Sequence, residues 1–150
     1  MVEHDIKSFV ESCQKYFEKS TGEAAQIGVP HFLDADEQEA LDFTGIIGIT
    51  GKARGAIYFS ASRLFLNTMA EKVFMVEPSD EIILDLVGEI ANTLAGNAQI
   101  FFPEDFEISL PVVVRGSLAG IQIKKLNEPV VCVPIFWREE KALLTIGINS

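Results

Sequence analysis

The tetrapeptide EIAN, residues 89–92, sets a carboxylate and an amide three positions apart inside a stretch, Asp85–Gln99, whose neighbours read as helix. At 100° per residue, Asp85, Glu89, Asn92 and Gly96 fall on one stripe about 60° wide. Ile83, Leu86, Val87, Ile90, Leu94 and Ala98 point the other way, toward a core. Small residues flank the stripe, Gly88 and Ala95 on one side and Thr93 on the other. Such a helix presents one carboxylate and one amide above a nearly bare backbone, a surface that another protein can approach closely. Its composition works against the helix itself. Each glycine costs about 1 kcal/mol relative to alanine, and Asn and Thr cost several tenths each. The sum, roughly 3 kcal/mol, is large beside a domain stability of about 5–15 kcal/mol. Asp85, Gly88 and Gly96 are therefore read as contacts for a partner. The competing reading, close packing of a glycine against another element of the same chain, stays open for Gly88 in particular.

The elements that must position this stripe follow from periodicity. Ile6, Phe9, Val10, Cys13 and Phe17 form one apolar helical face, with Asp5 as N-cap and Gly22 as the stop. HFLDADEQEA reads as a connection. LDFTGIIGIT and RGAIYFSAS read as strands joined in a hairpin by GKA. SRLFLNTMAEKVFM places Leu66, Met69, Val73 and Phe74 at helical spacing after Ser62. Pro78 closes that helix, and Ser79 caps a longer one expected from about Asp80 to Phe102, ended by Pro103. EISLPVVVRG, AGIQIKK, PVVCVPIFW and ALLTIGIN read as strands, with REEK as a turn. The order predicts an α+β fold: an antiparallel sheet packed with one N-terminal helix and two central helices. No repeat or Gly/Ser linker divides residues 1–150, so one domain is expected.

Composition narrows the function classes. With 48% hydrophobic and 23% charged residues the chain reads as globular rather than disordered. A net charge of −10 opposes nucleic acid and anionic membrane surfaces as partners. No targeting segment or membrane-spanning run is evident, which points to the cytoplasm. Cys13 and Cys132 sit in apolar surroundings without ligand-spaced partners and read as buried free thiols. GIIGITGKA has the wrong spacing for a phosphate-binding loop and lacks its Ser/Thr, so a hairpin accounts better for its glycines. GSLAG is not a nucleophile elbow, because its serine is not centred between glycines. His4 and His31 lack liganding neighbours. DADEQE lacks calcium-loop spacing, and Trp137 reads as core. No set of nucleophile, base or metal ligands supports a small-molecule enzyme.

The pattern Asp85-x3-Glu89-x2-Asn92-x3-Gly96-Asn97-Ala98 resembles that of the CheC/CheX family of chemotaxis phosphatases, most closely the CheX type. GIIGITGKARGAIYFS resembles the family's first hairpin, and ISLPVVVRG follows the long helix as expected. The resemblance implies an enzyme that hydrolyses the phospho-aspartate of a CheY-type response-regulator receiver domain. It assigns Asn92 to positioning the attacking water and Glu89 to pairing with the receiver's lysine. An amide suits the first role because it donates one hydrogen bond and accepts another, and a carboxylate suits the second. Mg²⁺ is expected on the receiver, with no metal or cofactor on this chain. CheC-type members carry a second Glu-x2-Asn motif. Asn67, Asn97, Asn127 and Asn149 all lack Glu three residues earlier, so a single site fits the CheX type. The resemblance also implies a homodimer. The alternative is a non-catalytic receiver-binding or flagellar-switch-like interaction domain on the same fold.

Overall fold

The computed structural model describes residues 3–34, 39–52, 54–100, 107–116 and 130–149, with only the backbone described at 3–5 and 149. The N-terminal helix, α1, spans Glu3–Thr21, so Asp5 lies inside its first turn rather than capping it. Phe9, Cys13 and Phe17 are buried along the expected face, and Gly22 ends the helix with φ +74°. Two short strands, β1 (Gln26–Ile27) and β2 (His31–Leu33), then add to the sheet, β2 at the start of HFLDADEQEA, which reads as a plain connection. Three residues with no alternating burial carry too little periodicity to announce a strand. His31 lies there, exposed, with Nδ1 3.2 Å from the Val29 carbonyl oxygen.

Strands β3 (Phe43–Thr50) and β4 (Arg54–Ala61) form the expected hairpin, with Gly51 at φ +108° in the turn. Helix α2 (Arg63–Thr68) is capped by Ser62, whose Oγ accepts the Phe65 N–H at 3.1 Å. It runs into a π-helical turn over Met69–Val73 instead of continuing as one α-helix. The wider turn leaves Phe74 outside the helix and exposed, although Leu66 and Met69 are fully buried as their spacing predicts. Helix α3 spans Asp80–Gln99 and stops short of the predicted Phe102.

The expected strand over EISLPVVVRG is two short ones, β5 (Glu107–Ile108) and β6 (Val112–Arg115), both paired with β3. Pro111, which lacks an N–H, separates them. Ser109 bridges the gap by donating its N–H to the Gly48 carbonyl at 3.0 Å and accepting the Gly48 N–H on Oγ at 2.8 Å. Strands β7 (Val130–Trp137) and β8 (Glu140–Asn149) close the chain. Their turn places Arg138 and Glu139 at φ +51° and +66°, the backbone of a tight two-residue hairpin. Arg138 is held there by Glu23, at 2.6 and 3.0 Å, and over the Trp137 ring. AGIQIKK, residues 117–120 of GSLAG, Phe102, Pro103 and most of DADEQE lie outside the described residues, as does the His4 side chain.

All described pairings are antiparallel, in the order β1-β7-β8-β4-β3-β5, with β2 also on β7 and β6 on β3. The fold is α+β, three helices with an antiparallel sheet. The core between helices and sheet includes Phe17, Phe59, Phe65 and Trp137, which meet edge to face. Both cysteines are free and buried, and burial pushes the Cys13 thiol up to about 12.

Gly45 on β3 has a role that the hairpin reading missed. A β-carbon there would stand 2.8 Å from the Val87 carbonyl oxygen and 2.9 Å from Ala91 Cβ, both on α3. Its absence lets the helix settle directly on the sheet. Gly45→Ala should therefore lower the unfolding free energy by about 1–3 kcal/mol, since the helix backbone has to shift. Denaturant titration checks this, and an unchanged midpoint would show that the helix yields freely.

Candidate functional site on helix α3

Helix α3 is anchored at its start. Ser79 Oγ accepts the Ile82 N–H at 3.2 Å, and Asp80 in the first turn bridges Arg63 at 2.9 Å and Arg115 at 3.2 Å. The two guanidinium groups also lie over the Phe43 ring. Arg63 holds the Asp80 carboxyl below the usual carboxylate range, assisted by the charge of Arg115. These contacts tie together the start of α2, the end of β6 and the start of α3. The body of α3 is then fixed by Ile83, Leu86, Val87, Ile90, Leu94 and Ala98, all buried as the periodicity predicts. Ala95 is buried with them.

With that face inward, Asp85, Glu89 and Asn92 stand exposed in successive turns, and Gly96 follows, half-buried. Among the described residues, neither Glu89 nor Asn92 is engaged by a hydrogen bond or an ion pair. Their polar atoms are thus available to an approaching molecule. The two glycines of the stripe have different explanations. A β-carbon on Gly88 would meet Val113 Cγ1 at 3.0 Å and Pro111 at 3.7 Å, and Gly88 is buried. Its small size serves the packing of α3 against β6, which accounts for this glycine without a partner. Gly96 is the opposite case. Among the described residues, a β-carbon there would have no heavy atom within 4 Å, so no packing against them requires that glycine.

The second wall of the site comes from α1, which sequence spacing alone did not bring to it. Tyr16 is buried beside α3, and its hydroxyl is pushed up to about 12. Burial is the main cause; a hydrogen bond to Ser20 opposes it, and the negative charge of Glu89 adds to it. A groove of about 840 Å³ opens between the two helices, lined by Tyr16 and its neighbours on α1 and by Thr93, Asn97 and Ile100 at the end of α3. The signal for this wall was present in the sequence only as an amphipathic helix. Its partner helix is a matter of tertiary packing.

No group of three or more His, Cys, Asp or Glu among the described residues could hold a metal ion. No helix of these residues is long and apolar enough to cross a membrane.

The family model for the chemotaxis phosphatase CheX matches residues 43–135, which contain the hairpin, both central helices and the Glu89–Asn92 stripe. The chain belongs to the CheX family. Solved structures bear the same fold. A chemotaxis protein CheX from Vibrio vulnificus is 20% identical, with a TM-score of 0.82 over 97% of this chain and 99% of that one. A CheC-like superfamily protein from Shewanella sp. PV-4 is 19% identical, with a TM-score of 0.81 over the whole of both chains. A CheX from Borrelia burgdorferi, solved in complex with CheY, BeF3 and Mg²⁺, is 19% identical, with a TM-score of 0.78 over 97% of each chain. No curated protein matches the chain. At these identities the structures speak for the fold, and the CheX family assignment rests on the sequence model.

Proposed function

We propose that this CheX-family chain is a phosphatase acting on the phospho-aspartate of a CheY-type receiver domain. The observation that carries the reading is the pair Glu89 and Asn92, exposed in adjacent turns of α3 and uncommitted among the described residues. The Borrelia relative in complex with CheY supports a receiver as the partner. In this reading the receiver brings its own Mg²⁺ and lysine, so the enzyme has to supply only an oriented water. Asn92 donates from Nδ2 to the water oxygen and accepts one of its hydrogens on Oδ1. The water is held in line with the aspartyl oxygen; its bond to phosphorus forms as the bond to that oxygen breaks, releasing inorganic phosphate and free aspartate. Glu89 pairs with the receiver's lysine and sets the docking register, and Asp85 contacts the receiver at the edge of the stripe. The same reading places the chain in the cytoplasm with its receiver, as a homodimer.

The test is the lifetime of a phosphorylated receiver of the same organism, measured with Mg²⁺ and a substoichiometric amount of this chain. The expected result is several turnovers per chain and a shortened lifetime. Tight binding with an unaltered lifetime would instead identify a non-catalytic binding domain.

Gly96 offers a sharper check on how the stripe is used. Gly96→Ala places a methyl in a helix where it meets none of the described residues, so it should stabilise the fold by about 1 kcal/mol. The same methyl stands one turn beyond Asn92, where the receiver must close, and should lower kcat/KM. Unfolding curves and dephosphorylation rates on one preparation decide it. Higher stability with full activity would show that the receiver does not approach the backbone there.

A further inference from the structure

The proposed reaction poses an electrostatic problem. With 22 acidic and 12 basic residues the chain carries a net charge of −10, and the stripe itself presents Asp85 and Glu89. The phosphoryl group is anionic as well, so the average field of this protein opposes its approach. The groove between α1 and α3 departs from that average. Among the described residues, Lys15 and Lys19, one turn apart on α1, line it together with a single acid, Glu18, and all three are exposed. Among the described residues neither lysine is held in an ion pair. The opposite wall is Thr93 and Asn97, the residues that follow Asn92 and Gly96 on the adjoining flank of α3. Ile100, 74% exposed, stands at the open end. The groove therefore lies alongside the stripe, and Tyr16 in its α1 wall feels the charge of Glu89.

Resting on the receiver reading above, we propose that the α1 wall of this groove is a second docking surface for the phosphorylated receiver, with Lys15 and Lys19 drawing its phosphoryl-bearing face onto the stripe. The lysines act on encounter rather than on the chemical step. They are specificity and rate determinants, and they do not touch the reacting atoms. Charges placed this way raise association rates by about 10–10³-fold and lose their effect as salt rises.

The test uses the full chain and a receiver loaded with beryllofluoride and Mg²⁺ for binding, and the phosphorylated receiver for turnover. Lys15→Glu with Lys19→Glu should lower both the association rate constant and kcat/KM at least about tenfold at 10 mM ionic strength. The loss should shrink at 150 mM, where the screening length falls to about 8 Å. Turnover at saturating receiver should be unchanged. Lys52→Glu with Lys141→Glu makes the same change in net charge on exposed residues of the β3–β4 and β7–β8 hairpins, and should have a much smaller effect. Equal effects of the two double variants, or no effect of the first, would overturn the proposal while leaving the phosphatase reading intact. A wild-type chain that binds without turnover would reject catalysis but still let the association rates judge the lysines. A wild-type chain that neither binds nor hydrolyses would reject both.

Discussion

Asn92→Ala should remove the acceleration of phosphate release, lowering kcat by about 10²-fold or more, while binding of a beryllofluoride-loaded receiver stays within about twofold of wild type. The size follows from what the amide does. A methyl group neither donates to nor accepts from water, so the nucleophile loses its fixed direction, and misplacement by about 1 Å alone is worth a factor near 10². The retained affinity follows from where the amide stands. Asn92 is exposed and, among the described residues, holds nothing in its own chain, so its loss neither unfolds α3 nor leaves a buried group unpaired. Thermal unfolding should confirm this, with a midpoint at or slightly above wild type, since alanine is the better helix former. Asn92→Asp is the informative companion. It keeps the shape but substitutes an acceptor for the donor and adds a charge facing the phosphoryl group, and it should be at least as inactive.

Glu89→Ala should act on the other half of the kinetic constant. Truncating one member of a charge pair that becomes buried in a complex costs about 2–5 kcal/mol. Each 1.4 kcal/mol is a factor of ten, so the receiver's Kd should rise about 30-fold or more. The receiver's lysine, left without its partner, contributes to the loss. Glu89→Gln should lose most of the same affinity, because shape is kept and charge is not. Isothermal titration with the beryllofluoride-loaded receiver measures both variants. An unaltered Kd would remove Glu89 from the interface. A reduced kcat at unchanged Kd would move it into the chemical step instead.

The stripe was legible in the sequence because it depends on a local period. Asp85, Glu89, Asn92 and Gly96 share a face as soon as α3 is a helix, and the apolar residues opposite them fix which face is outside. The glycines were less legible, since a glycine in a helix has the same appearance whether it meets a neighbour or open space. Gly88 meets Val113 and Gly96 meets none of the described residues, a distinction set by where β6 crosses the helix. Gly45 had the same difficulty from the other side: the contact that explains it lies on α3, some forty residues away in the chain. The short strands β1 and β2 escaped notice because pairing with β7, not their own sequence, makes them strands. The α1 wall of the groove escaped for a related reason: amphipathicity states that a helix packs, and leaves unstated what it packs on.

The central claim is that Asn92 makes this chain a catalyst. It is tested most directly by the rate of phosphate release from a phosphorylated receiver at saturating concentration, with Mg²⁺, for wild type and Asn92→Ala in parallel. Acceleration by wild type, lost in the variant although the variant still binds, is the predicted result. Acceleration that survives Asn92→Ala undiminished would contradict it.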